Sequence, residues 1–261
     1  MLRHDKDRKV KRKISSWCPL LAAIVAMLSL HNTVWSSEAD EDRSAYREAI
    51  KQVEIGTNAE ILDHFIKQRP PILSDEARAF YKREMLARPE LAHTPVLDSD
   101  SPEAKTVLGT IQPILNKYHR NGIEVLILKQ EAPFVGLYRE CLLLFSTKLL
   151  NLLTPAEVRA AAAHELSHEF FLDELKAADK AKNKSAVHLV EFKCDIVAAV
   201  GLLTIGDDPM VLAETVERIE DYYLNHNNAA LETDRHPKAK LRKECLQQFL
   251  KTVEEARKDK S

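Results

Sequence analysis

The sequence predicts an α+β chain that is mainly helical. Three observations carry this. Only six glycines and 6% aromatic residues stand among 261, a composition that favours helices over a large sheet. Several segments carry helix-start chemistry ahead of helix-forming runs. Two short apolar runs, in contrast, have the length and flanks of buried strands.

The N-terminus is tripartite: a basic stretch from Arg3 to Lys13, an apolar run from Trp17 to Leu30, then Val34-Trp35-Ser36-Ser37 with small residues placed for cleavage after Ser36. This is the pattern of a secretory signal peptide over residues 1–36. The apolar run is shorter than the roughly 20 residues a membrane span needs, and an uncleaved N-terminal anchor is the alternative. Cys18 stands at the start of the apolar run rather than after it, unlike a lipoprotein cysteine. In a Gram-negative host the mature chain is expected in the periplasm. Cleavage leaves Cys141, Cys194 and Cys245, which allow one disulfide at most.

The basic segment carries a formal +5, so the remainder is near −7 against −2 for the whole chain. An acidic balance argues against nucleic-acid binding. About 225 residues remain, enough for one domain with a sizeable core.

Residues 37–100 form an N-terminal helical region. Ala45 to Val53, Ala59 to Gln68 and Asp75 to Arg88 are amphipathic, and Arg69-Pro70-Pro71 separates the second from the third. Leu91 to Pro102 is expected to be a loop. Gly122 to Lys129 and Cys141 to Ser146 are the two strand-like runs, and Lys148 to Leu153 leads towards the next helix. That helix is the best specified in the chain. Thr154-Pro155-Ala156-Glu157 is a capping box with proline at the first helical position. Four alanines, 160–163, follow, and they permit close approach of another element.

Two turns into this helix stands His164-Glu165-Leu166-Ser167-His168, the pattern H-E-x-x-H. Positions i and i+4 share a helix face, so two imidazoles can grip one zinc ion while Glu165 reaches a water activated by it. A catalytic zinc usually takes a third protein ligand. Downstream, Ser185 is a candidate cap for a helix through Val187 to Val200. There Glu191 and Asp195 are four apart among apolar neighbours. Carboxylates in such a setting are paired or bind metal. Glu191 completes a His-His-Glu set, and Asp195 can accept an imidazole N–H and fix its tautomer. His188, one turn before Glu191, is the competing ligand. An amphipathic helix, Val211 to Ile219, precedes Tyr222 and Tyr223, which with His236 are candidate oxyanion donors. The C-terminal Lys251 to Ser261 is a charged, solvated helix end.

The blocks HELSH, EFKCD, Gly206-Asp207-Asp208-Pro209, and His236-Pro237 followed by Arg242 occur in that order. Together they resemble the gluzincin metallopeptidases that include the CAAX prenyl proteases, the HtpX-like heat-shock proteases and their soluble periplasmic relatives. The resemblance covers about residues 102–250. It implies a zincin-like metallopeptidase domain over residues 101–261, with a small antiparallel sheet packed beside the active-site helix. It further implies one Zn2+ per chain on His164, His168 and Glu191, with Glu165 as general base and Asp195 as the partner of a ligand. His236 is expected near the cleft as a catalytic residue, or else at a helix-start turn. Arg242 is expected in an ion pair with an active-site carboxylate. Gly136-Leu137-Tyr138 is the candidate edge strand for an extended substrate. The chain departs from the family over Glu131 to Glu140, where relatives carry Asn-Ala-Phe and a Gly-Gly pair.

The implied activity is that of an exported zinc endopeptidase acting on protein or peptide substrates, such as misfolded envelope proteins. The competing reading is a zinc-stabilised, catalytically latent binding or chaperone-like protein. The intact Glu165 argues against the latter. Oligomerisation is left open, and membrane contact is expected only if the signal segment stays attached.

Overall fold

Two helices, both buried over most of their surface, organise the molecule. A helix of that kind has no solvent face and must lie inside. The computed structural model describes residues 40–51, 57–69, 71–91, 93–120, 122–226 and 236–258. The signal segment expected over residues 1–36 lies outside the described residues. Two compact units are distinguished, residues 1–43 and 44–261. The second holds the sheet, the core and every candidate site residue.

Helix α1 (residues 40–51) places Tyr46 and Ala49 in the core. Helix α2 (Asn58–Gln68) starts at a Thr57–Glu60 capping box and buries Ile61, Leu62 and Phe65. Helix α3 (Asp75–Leu86) is capped by Ser74 and buries little beyond Met85. A 3-10 turn (Pro89–Leu91) follows, and the segment expected to be a loop, Leu91 to Pro102, holds the two-residue strand β1 (Val96–Leu97).

Helix α4 (Pro102–Lys117) has no counterpart among the elements expected from the sequence. Ser101 caps it, proline occupies its first turn, and Ala104, Val107, Ile111, Ile114 and Leu115 form its buried stripe. Strands β2 (Glu124–Leu128), β3 (Val135–Tyr138) and β4 (Leu142–Ser146) follow. The sheet order is β1-β2-β4-β3. This corrects the expected antiparallel sheet to a mixed one, because β4 runs parallel to β2, with Val125 opposite Leu143 and Ile127 opposite Phe145. The burial pattern explains the order. All five residues of β4 are buried, as befits a central strand covered on both faces. All four of β3 are half-exposed, so β3 takes the edge.

The β3–β4 turn has Arg139 and Glu140 both at positive φ, 50° and 58°. Cys141 N–H closes it on the Tyr138 carbonyl at 3.2 Å. These are the dihedrals of a tight primed turn, adopted here without glycine.

After the short α5 (Thr147–Leu152) comes α6 (Pro155–Ser167), started by the Thr154–Glu157 box. It packs against α4 and β3, and also against the later helices α8 (Lys184–Ile205) and α9 (Met210–Asn225). Its alanines 160–163 are all at most 4% exposed, and their small size lets those neighbours approach. A 3-10 turn (His168–Phe171) and α7 (Leu172–Ala181) lead from α6 to α8. The cap of α8 is Asn183 rather than Ser185, which lies in its first turn.

Gly201 of α8 faces Tyr118, and a Cβ there would sit 2.7 Å from that ring. The missing side chain lets the Tyr118 hydroxyl lie 3.2 Å from both Ser167 Oγ and the Val197 carbonyl. The tyrosine that ends α4 thereby ties that helix to α6 and α8. Gly206, at φ 83°, ends α8 in the left-handed region. Asp207 then holds Arg159 of α6 through two bonds of 2.6 and 3.1 Å. Asp208 accepts from Met210 N–H at 2.9 Å and so starts α9. Helix α10 (Ala239–Lys258) closes the core with Cys245, Leu246, Phe249 and Val253. Cys141, Cys194 and Cys245 are each buried as free thiols. Among the described residues no helix is long and apolar enough to cross a membrane.

Candidate metal centre

The packing of α6 on α8 brings three potential ligands together. His164 and His168 are one turn apart, and Glu191 reaches them from α8. His164 Nε2 lies 3.3 Å from Glu191 Oε2, and His168 Nε2 lies 3.7 Å from Glu191 Oε1. One ligand atom from each residue falls within 4.8 Å of the others, so this group could hold a metal ion. Tetrahedral bonds of about 2.0–2.1 Å would set ligand atoms roughly 3.3 Å apart, a spacing that the His164–Glu191 pair meets.

The outer nitrogens of both imidazoles are engaged. Asp195 Oδ1 is 2.9 Å from His164 Nδ1, so Nδ1–H donates to the carboxylate and Nε2 is the nitrogen left to face a metal. Asp195 is fully buried. Arg242 of α10 grips both its oxygens, Nε at 2.7 Å and a terminal nitrogen at 2.6 Å. That guanidinium holds the Asp195 carboxyl below its ordinary range against the opposing effect of burial. His168 Nδ1 meets a different partner, Cys194 Sγ, at 3.3 Å.

The electrostatics separate the two histidines in the metal-free state. Burial opposes charge on His164, but hydrogen bonds to Asp195 and Glu191 outweigh it and raise its pKa to about 9. Burial dominates at His168 and lowers its pKa to about 4. Glu191 is held well below the carboxylate range, since the surrounding histidines overcome its desolvation.

Glu165 lies on α6 between the two histidines. Burial, helped by the charge on Glu191, raises its pKa to about 6. The Leu137 backbone N–H of edge strand β3 faces its carboxylate and eases the charge. His236, just before α10, places Nδ1 2.9 Å from Glu191 Oε2 and is 40% exposed at its side chain.

Beside these groups opens a cavity of about 140 Å3. Leu149, Leu212, Val216 and Ile219 line it, while His164, Glu165, His236 and Arg242 stand at its polar end. Phe134 and Leu224, both exposed large apolar residues, belong to the same wall.

The chain matches no known family, curated protein or solved structure. The site therefore stands on its own geometry.

That geometry unites His164, Glu165, His168, Glu191, Asp195, His236 and Arg242 in one place. His188 is buried but is not in the converging group. Tyr222 and Tyr223 lie within α9, not after it, and their hydroxyls donate to the Glu131 and Pro133 carbonyls. They pin the segment that leads into β3 and are not free to act as oxyanion donors. Sequence reasoning missed Cys194 as a partner of His168, although its spacing was available. Glu191, Cys194 and Asp195 are i, i+3 and i+4 on one helix and must share a face.

Proposed function

We propose that the protein is a zinc-dependent endopeptidase of the zincin type, exported from the cytoplasm by its tripartite N-terminus. The observation that carries this reading is the convergence of three ligand atoms within 4.8 Å beside a carboxylate of raised pKa and the edge of a sheet. The donor set fits zinc: two imidazole nitrogens turned inward, and one carboxylate oxygen.

When bound by His164, His168 and Glu191, zinc would supply Lewis acidity towards a carbonyl and lower the pKa of water. This chain's own residues provide the rest. Glu165, with a pKa of about 6, can take a proton near neutrality and return it to a leaving amine. The edge of β3 offers unpaired backbone groups to an extended peptide, and Leu137 N–H brings that edge up to Glu165. His236, at the rim of the cavity, is the side chain placed to donate to a developing oxyanion. The cavity is close to the roughly 150 Å3 size that holds a benzene-sized group, so a bulky apolar residue is expected next to the cleaved bond. Arg242 acts through Asp195, and Asp195 through His164.

Glu165→Gln tests the reading directly. It is expected to lower cleavage of an unfolded test protein by about 100-fold or more while zinc per chain stays near one. Glu191→Ala is expected to lose the metal. Unchanged cleavage in Glu165→Gln, or a wild-type chain that takes up no zinc, refutes the peptidase. A zinc-loaded wild-type chain that cleaves nothing, yet binds unfolded proteins as well as the Glu165→Gln variant does, favours the latent, chaperone-like reading.

A further inference from the structure

We infer that Cys194 is the positioning residue of the second ligand: its sulfur accepts the Nδ1–H of His168 and so aims Nε2 at the metal. The inference rests on the metal-centre reading above, and it concerns a residue that the H-E-x-x-H and E-x-x-x-D patterns leave unassigned.

The buried face of α8 presents Glu191, Cys194 and Asp195 to His164 of α6 and to His168, the first residue of the 3-10 turn that follows it. Asp195 meets His164 Nδ1 at 2.9 Å, Cys194 meets His168 Nδ1 at 3.3 Å, and Glu191 stands between the two Nε2 atoms. Each imidazole therefore has an inner nitrogen facing the ligand cluster and an outer one facing a side chain of α8. A neutral imidazole carries one proton on one nitrogen. If His168 ligates through Nε2, that nitrogen is bare and the proton is on Nδ1, directed at the sulfur. Cys194 is fully buried, and its sulfur is the side-chain atom seen at hydrogen-bond distance from His168 Nδ1.

The two ligand histidines are thus supported unequally. His164 donates to an anion that is itself clamped by Arg242. His168 meets a cysteine sulfur, which is a weak acceptor. Outer partners of ligand histidines typically matter by about 10–100-fold in metal affinity, and a sulfur acceptor belongs at the lower end. The competing view gives Cys194 only a packing role. The two views differ in what they ask of a substitute. Packing asks for volume, and orientation asks for an acceptor.

The test compares the full chain with Cys194→Ser, Cys194→Ala and Cys194→Val. Zinc affinity is measured by chelator competition, and the unfolding midpoint of the metal-free proteins is measured separately. Serine keeps an acceptor, alanine removes it, and valine removes it while keeping bulk. The expected result is a zinc affinity for the serine variant within about threefold of wild type, with a loss of about tenfold for both alanine and valine. That ranking should not follow the unfolding midpoints. Equal zinc affinity in all four proteins, or losses that simply track stability, overturns the positioning role and leaves the metal centre intact. A wild-type chain that binds no zinc overturns both.

Discussion

Replacing Arg242 by methionine removes the clamp on Asp195, the carboxylate that meets His164 Nδ1. Asp195 is fully buried and its carboxylate has three polar partners, two from Arg242 at 2.6 and 2.7 Å and one from His164 Nδ1 at 2.9 Å. Methionine keeps the apolar stem of the arginine but strands the charge. Removing one member of a buried ion pair costs about 3–5 kcal/mol, a large part of the roughly 5–15 kcal/mol available to a typical domain. For a domain of this size that corresponds to a fall of about 6–20 °C in melting temperature. The stranded carboxylate would also bind the His164 proton more tightly, which opposes metal uptake. Urea unfolding of the metal-free protein gives the first quantity, and zinc competition gives the second. A second substitution supplies the control. Asp195→Asn in the same chain removes the stranded charge, so the double variant should lose less than the sum of the single losses, by about 1–3 kcal/mol. A loss below about 1 kcal/mol for Arg242→Met, or strictly additive variants, would refute the claim that this pair holds the site together.

Metal uptake should release about one proton at neutral pH, because His164 is protonated below about 9 and His168 is neutral above about 4. Apparent zinc affinity should then rise about tenfold per pH unit and level off near pH 9, and a slope of two protons in chelator competition would contradict it. The same raised pKa stabilises the metal-free fold fully below the unfolded histidine value of about 6.5, a contribution lost as pH rises through about 9. Val216→Phe, on the cavity wall, should suppress cleavage beside bulky apolar residues more than beside small ones, by about tenfold, with zinc content unchanged; equal loss for all peptides would remove the cavity from specificity. Glu140→Gly should stabilise the fold by about 0.5 kcal/mol, since relief of the left-handed strain at φ 58° exceeds the added entropy of glycine. Denaturant midpoints would show a loss instead if the turn were unstrained.

Much of the site lies within short stretches of sequence, which is why it is legible without the fold. His164 and His168 are one turn apart on a helix whose start is written in Thr154-Pro155. Glu191 and Asp195 repeat the same spacing on α8. The contributions that sequence does not display are those that depend on which elements meet. Helix α4 is masked by Pro113, which interrupts its pattern, yet that helix leads into Tyr118 at the α6–α8 contact. The mixed sheet depends on β4 inserting between β2 and β3, a choice visible only as a strand buried at every position. The cavity wall requires α9 to continue through Tyr222 and Tyr223 and tie down the Pro133 segment. Cys194 marks the boundary between the two cases. Its register with Glu191 is local, so its face is predictable, but its partner is a histidine 26 positions away. Local spacing decides which side chains share a face. Only the packing of α6 against α8 decides that one imidazole is answered by a clamped carboxylate and the other by a sulfur, and that difference makes the two histidines chemically unequal.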